Sequence, residues 1–184
     1  SDGVLYNSLA LNSVSDVKAV NVTATGTIAY VTGSGNNRTS VSETNAYVTD
    51  DYWKYQLMET DDANLDKGTD SITQTCIDKV GHSRDLIGNQ RIRNAVDNGC
   101  FETWNITGNY TITSADKPVG KSVVYVRKEQ ELQIQKADDG SLVYPDGQYF
   151  NPGYLLLEHH AGLRGCGNYI NLTNFAVERD VKAG

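Results

Sequence analysis

The chain of 184 residues is short of several things, and each shortage excludes a class of protein. No apolar run approaches the roughly 20 residues that a membrane-spanning helix needs, so no helical span is predicted. Basic residues are outnumbered, 16 Lys and Arg against 23 Asp and Glu for a net charge of -7. Neutralising phosphates takes a basic face, so a nucleic-acid partner is not expected. With only Cys76, Cys100 and Cys166, a disulfide framework is excluded. At most one disulfide can form, Cys100 pairing with Cys76 or with Cys166, and one thiol is left over. The opening Ser1-Asp2-Gly3 lacks a positive or apolar leader, which reads as the start of a mature, processed chain.

Catalytic and metal-ligating signatures are scarce as well. Histidine is limited to His82, His159 and His160. Glu158 and His160 would share one face of a strand as a two-ligand edge for zinc, but no third ligand stands at a recognisable spacing. His82, Ser83 and Asp85 are triad residue types, yet residues so close in sequence do not form a triad by themselves, and neither G-x-S-x-G nor H-E-x-x-H occurs. Glu102, Glu129, Glu131 and Glu158 are carboxylates of the kind used in glycoside hydrolysis, with nothing to select a pair. An enzyme is therefore not expected.

What the chain does hold is Thr, Ser, Asn, Gly and 11 Tyr, with 39% hydrophobic and 21% charged residues, a balance that resembles a secreted β protein. Residues 100–113 are its most distinctive stretch, a β-rich run carrying the sequons Asn105-Ile106-Thr107 and Asn109-Tyr110-Thr111. On one continuous strand both asparagines would face one side, with Ile106 and Tyr110 on the other. Further acceptors stand at Asn21, Asn37 and Asn171, five in all where roughly two or three would arise by chance. The excess predicts a glycosylated protein outside the cell.

The acidic loop 61–70 is the candidate cation site. Asp62, Asn64, Asp66 and Asp70 fall at positions 1, 3, 5 and 9 of a loop, a spacing that suits the oxygen ligands of calcium. The glycine is displaced by one residue, and Thr73 stands where a bidentate Glu would be. Tyr47, Tyr52, Trp53 and Tyr55, with Tyr149, Phe150 and Tyr154, are the candidate surface for stacking sugars.

Periodicity places strands at 4–11, 17–24, 27–32, 122–127, 131–137, 154–158 and 168–177, and a hairpin across Thr25-Gly26. Asp139-Gly140 is the strongest hairpin signal, and Tyr144-Pro145-Asp146-Gly147 reads as a second turn. A short helix is expected at 52–59 and one or two more within 71–96. No internal repeat is visible. The expected architecture is mainly β, a single domain over 1–184: an antiparallel β-sandwich of jelly-roll or Ig-like type with a helical insert at 50–97.

The function expected from these readings is that of a non-enzymatic extracellular structural or adhesive subunit of a surface assembly or filament. It would self-associate into a homo-oligomer or filament and be stabilised by calcium, with the N-terminal segment 2–14 as a strand donor. The alternative is a secreted carbohydrate-binding module or effector-like ligand. A hydrolase using paired carboxylates ranks third.

Overall fold

The computed structural model describes residues 56–60, 62, 64–68, 70–93, 95–97 and 101–178, apart from the side chains of Ile72, Cys76, Lys79 and Val80. It also describes the backbone of β1 (Val4–Leu11), β2 (Lys18–Thr25), β3 (Arg38–Val41) and β11 (Lys182–Ala183). The chain divides into two compact units, Ser1–Thr103 and Trp104–Gly184.

The antiparallel sandwich is not what forms, because every pairing between the described strands is parallel. In the first unit β1, β2 and β3 make a three-stranded sheet in that order. At Thr25 both edges of β2 are taken, by Leu11 and by Val41, and the strand expected at 27–32, with the hairpin across Thr25-Gly26, lies outside the described residues. Among the described residues the unit has one helix, α1 (Asp70–Val80), which Asp70 opens with a negative charge in the first turn, where the exposed amides favour one. Gly81 ends it in the left-handed conformation (φ 73°), its N–H donating to Ile77 O. Beyond Gly81 the predicted helical pattern does not continue. Residues 83–91 instead form a small antiparallel loop bridged at Arg84 and Gln90. Of the other expected helix, 52–59, residues 56–59 are not helical and residues 52–55 lie outside the described residues.

The second unit is a coil of parallel strands that alternate between two sheets. One sheet holds β4 (Trp104–Ile106), β6 (Val123–Val126), β8 (Tyr154–Leu157) and β10 (Phe175–Val177), and the other holds β5 (Tyr110–Ile112), β7 (Glu131–Ile134), β9 (Gly162–Arg164) and β11. A parallel neighbour requires a crossover, which in α/β proteins is usually a helix. Here the crossover from each strand to its neighbour is the intervening strand of the opposite sheet. Trp104 pairs with Val124, Val124 with Leu155 and Leu155 with Phe175, at offsets of 20, 31 and 20 residues. The coil is thus a structural repeat that the sequence does not display. The longer offset accommodates the excursion predicted at Asp139-Gly140, which is antiparallel: Lys136 bridges Leu142, and Gly140 takes φ 84°.

Alternate residues stack inside. Trp104, Val124 and Leu155 form one column, Ile106, Val126 and Leu157 another, and Leu132, Leu163, Ile112 and Ile134 face them from the second sheet. The two sheets differ on their outer faces. In the first, Asn105, Val123, Tyr125 and Leu156 are buried as well, which matches the near-continuous apolar runs of β6 and β8 and is the pattern of strands covered on both sides. In the second, outward Glu131 and Gln133 are half-buried and Arg164 is exposed, with Arg164 Nε 2.7 Å from Glu131 Oε2.

The corners repeat too. Four-residue turns join β6 to β7 (Gln130 N–H to Arg127 O, 3.0 Å) and β8 to β9 (Ala161 N–H to Glu158 O, 2.9 Å), with Glu129 and His160 in the left-handed conformation at equivalent places. Glu158 accepts the Lys128 N–H of the preceding turn, and Glu178 accepts that of His159. Each corner is thereby tied to the next by a carboxylate.

Candidate metal centre

The loop 64–70 is stitched alongside residues 96–97 by three hydrogen bonds. Asp66 N–H donates to Asp97 Oδ1 (2.8 Å), Gly68 N–H to Val96 O (2.6 Å) and Val96 N–H to Asp70 Oδ1 (3.0 Å). Gly68 is required at this approach, because a Cβ there would stand 2.7 Å from Val96 O. The pairing carries Asp66, held in the left-handed conformation (φ 55°), to buried Asp97.

Glu102 reaches the same point from the other side. Its backbone is held by Asp85, whose Oδ2 accepts the Glu102 N–H at 2.9 Å and whose Oδ1 accepts the N–H groups of Ile87, Gly88 and Asn89. Asn89 Nδ2 donates to Glu102 O. The Glu102 side chain, 1% exposed, accepts the Asp97 N–H on Oε2 (3.3 Å), with Arg91 Nη1 3.6 Å from the same oxygen. Its other oxygen, Oε1, is buried without a hydrogen-bond partner. One carboxylate oxygen each from Asp66, Asp97 and Glu102 lies within 4.8 Å of the other two, so the three residues could hold a metal ion.

Burial dominates the electrostatics of this cluster. Loss of solvent pushes Asp97 up to about 7, against the opposing effect of the Asp66 and Thr103 amides, which donate to its two oxygens. Glu102 is pushed up to about 10, first by desolvation and then by the neighbouring Asp97, while Arg91 acts in the opposite direction.

Of the predicted calcium ligands, Asp66 alone belongs to this carboxylate cluster. Asp62 is exposed, Asn64 is buried, and Asp70 is engaged with the Val96 amide at the start of α1. The predicted loop thus supplies one carboxylate of the cluster. The other two come from residues 31 and 36 positions further on, too far for a spacing rule. Asp97 went unmarked, and Glu102 was marked only for hydrolysis. The one local sign was that Glu102 is the only charged residue in the run 100–113.

The remaining predicted sites are placed as follows. Asn105 is 6% exposed within β4, where a glycan has no room, and the chain breaks strand at residues 107–109 so that Asn105 and Asn109 do not share one ribbon. Asn109 and Asn171 are exposed. Asn21 lies on β2 with its side chain outside the described residues, and Asn37 lies outside them entirely. Cys166 is a free thiol, so the pairing with Cys100 is not made. Cys100 and the Cys76 side chain are outside the described residues. The zinc edge dissolves, because β8 ends at Leu157 and Glu158 serves the corner turn while His159 and His160 rings lie 4.0 Å apart. The triad types do not assemble either, since Asp85 gives both oxygens to backbone amides. Of the aromatic set, Phe150 is core and Tyr154 packs edge-on against Tyr125, which leaves Tyr149 exposed. Tyr47, Tyr52, Trp53 and Tyr55 fall outside the described residues.

No protein-family model, curated protein or solved structure matches the chain.

Proposed function

We propose that the chain is a non-enzymatic extracellular structural or adhesive subunit that self-associates into a surface assembly, with calcium as its stabilising cation. The observation that carries this reading is the exposure of β10. Its residues continue the interior columns, yet Phe175 is 54% and Val177 46% exposed, whereas the residues they extend, Leu155 and Leu157, are 0% and 6%. Ile170, bridged in parallel to buried Phe150, is likewise exposed. A repeat stack that presents apolar interior positions, and strands with one edge unpaired among the described residues, is a template for further β pairing. Strand addition remains the joining mode of the proposal. β1, the expected donor, is an edge strand of its own sheet, and β10 and β11 are the edges that would accept a strand.

Exposed sequons at Asn109 and Asn171 support an extracellular setting. Light scattering on the natural material, before and after removal of glycans and of divalent cations, tests the reading. Higher-order species lost on Phe175→Asp would support it. A monomer at all concentrations would sink it.

The second reading, a carbohydrate-binding module, rests on Tyr149 and Tyr169. Both are exposed, their rings lie 6.1 Å apart and inclined at 65°, and Tyr169 is fixed by its hydroxyl donating to Asp146 Oδ1. Glycan binding abolished by Tyr169→Ala, in a protein that remains monomeric, would favour it over assembly.

A further inference from the structure

We propose that Asp66, Asp97 and Glu102 form a binding site for one calcium ion, which fastens Asp66 to Asp97 and Glu102. This deepens the calcium-stabilised reading above, on which it rests, by keeping Asp66 of the predicted loop and replacing its other three ligands with Asp97 and Glu102. Three observations carry it, and each is geometric.

The first is fit. Calcium binds oxygen at about 2.3–2.6 Å, so one ion can touch oxygens as far apart as about 4.6–5.2 Å. The three carboxylates, with their oxygens within 4.8 Å of one another, satisfy that limit without movement. The second is the unpartnered oxygen. A buried carboxylate oxygen without a donor is costly, and Glu102 Oε1 is such an atom while Oε2 is already engaged by the Asp97 amide and Arg91. Oε1 is therefore the atom the site assigns to the ion. The third is rigidity. Asp97 is held through both oxygens by backbone amides, Glu102 is anchored through its backbone by Asp85 and Asn89, and Asp66 is held in a left-handed conformation. A set of ligands fixed before binding loses little freedom when the ion arrives.

An all-oxygen ligand set excludes soft metals and favours a hard cation, with backbone carbonyls or water completing the shell. The role is structural, because the three ligands lie on segments that are distant in sequence and the ion would join them. It would cross-link residues 31 and 36 positions apart, much as a disulfide would in a chain with so few cysteines.

The test uses the full chain stripped of metal with a chelator. Calcium is titrated by calorimetry, bound metal is counted by elemental analysis, and the oligomeric state of the same samples is read by light scattering. One calcium per chain is expected, with a rise in thermal midpoint on binding and an affinity at least about tenfold weaker in Glu102→Gln and in Asp66→Asn. Asp66 is only half-buried, so its variant serves if Glu102→Gln fails to fold. Asp62→Asn should bind as the parent does. Absence of stoichiometric binding by the parent at millimolar calcium overturns the site, and so does binding lost in Asp62→Asn but kept in Asp66→Asn. A monomer that binds one calcium keeps this site and removes the assembly reading, whereas an assembly that binds none does the reverse.

Discussion

Residues 56–103 and 104–178 fill their interiors by opposite means. Among the described residues, the buried apolar ones of the first stretch are Leu57, Leu65 and Val96, and the others belong to the coil. Buried polar and charged residues run the other way, with Asn105, Ser122 and Asn168 in the coil and the remainder, including Arg93, Asp97 and Glu102, in the first stretch. The coil is stabilised by area removed from water, a non-directional term that stacking in register supplies turn after turn. The first stretch is organised by carboxylates accepting backbone amides, a directional term that works only if each partner is in place. The coil should therefore tolerate conservative exchange, and the first stretch should fail when a single acceptor is removed.

The largest effect should come from emptying the coil. Phe150, fully buried and edge-on to Tyr144 at 6.0 Å, should cost about 3–5 kcal/mol on truncation to alanine. Urea unfolding would read this, and a loss near 1 kcal/mol would mean that the coil is not a packed interior. Asp85→Ala comes next at about 2–3 kcal/mol, because four amides lose a charged acceptor. Asp85→Asn should recover only part of the loss. If Asp85→Ala costs no more than an exposed aspartate such as Asp139, the directional account of this stretch is wrong.

A pH profile sharpens the contrast further. In chelated protein the folded state keeps protons on Asp97 and Glu102 that the unfolded chain releases near 3.8 and 4.5. The folded state thus binds more protons than the unfolded, so stability from this cluster is greatest below about pH 4 and declines as pH rises. The slope is up to about 1.4 kcal/mol per pH unit for each retained proton. The decline continues through about 7 for Asp97 and towards about 10 for Glu102, with Asp66 and Arg91 the charged neighbours that modulate it. Melting curves of the parent and of Glu102→Gln should diverge with rising pH, and parallel profiles would remove Glu102 as a cause. The smallest effect should be Phe175→Ala, below about 1 kcal/mol in a monomer because the ring is already half in water. A larger loss that grows with protein concentration would show that the ring is buried between copies.

Sequence reasoning located much of the coil without seeing it. Strands predicted at 122–127, 131–137 and 154–158 are β6, β7 and β8, and the turns at Asp139-Gly140 and Pro145-Asp146-Gly147 form with positive φ at both glycines. These features are local, since a two-residue side-chain period and a glycine that accepts left-handed backbone are written within a few residues. Two stretches of the sequence carry the mark of parallel pairing. Val123-Val124-Tyr125-Val126 and Tyr154-Leu155-Leu156-Leu157 are apolar at every position, as strands buried on both faces are, whereas a sandwich strand alternates.

The acidic loop was recognised as unusual, but only Asp66 of its four marked residues joins the cluster, because Asp97 and Glu102 arrive through the pairing of residues 66–70 with 96–97 and the anchoring of Glu102 by Asp85. The repeat stayed hidden for a related reason. Equivalent corners read Arg127-Lys128-Glu129-Gln130 and Glu158-His159-His160-Ala161, which share a backbone turn and almost no side-chain chemistry.

By itself the sequence determined where strands and turns form and which of their faces are apolar, because each follows from the sterics and hydropathy of neighbouring residues. Only the tertiary structure decided that strands pair in parallel, that a turn of coil is about 20 residues, and that three distant carboxylates meet. Those outcomes depend on which segments come to lie side by side, and that is settled by contacts between residues far apart in the chain.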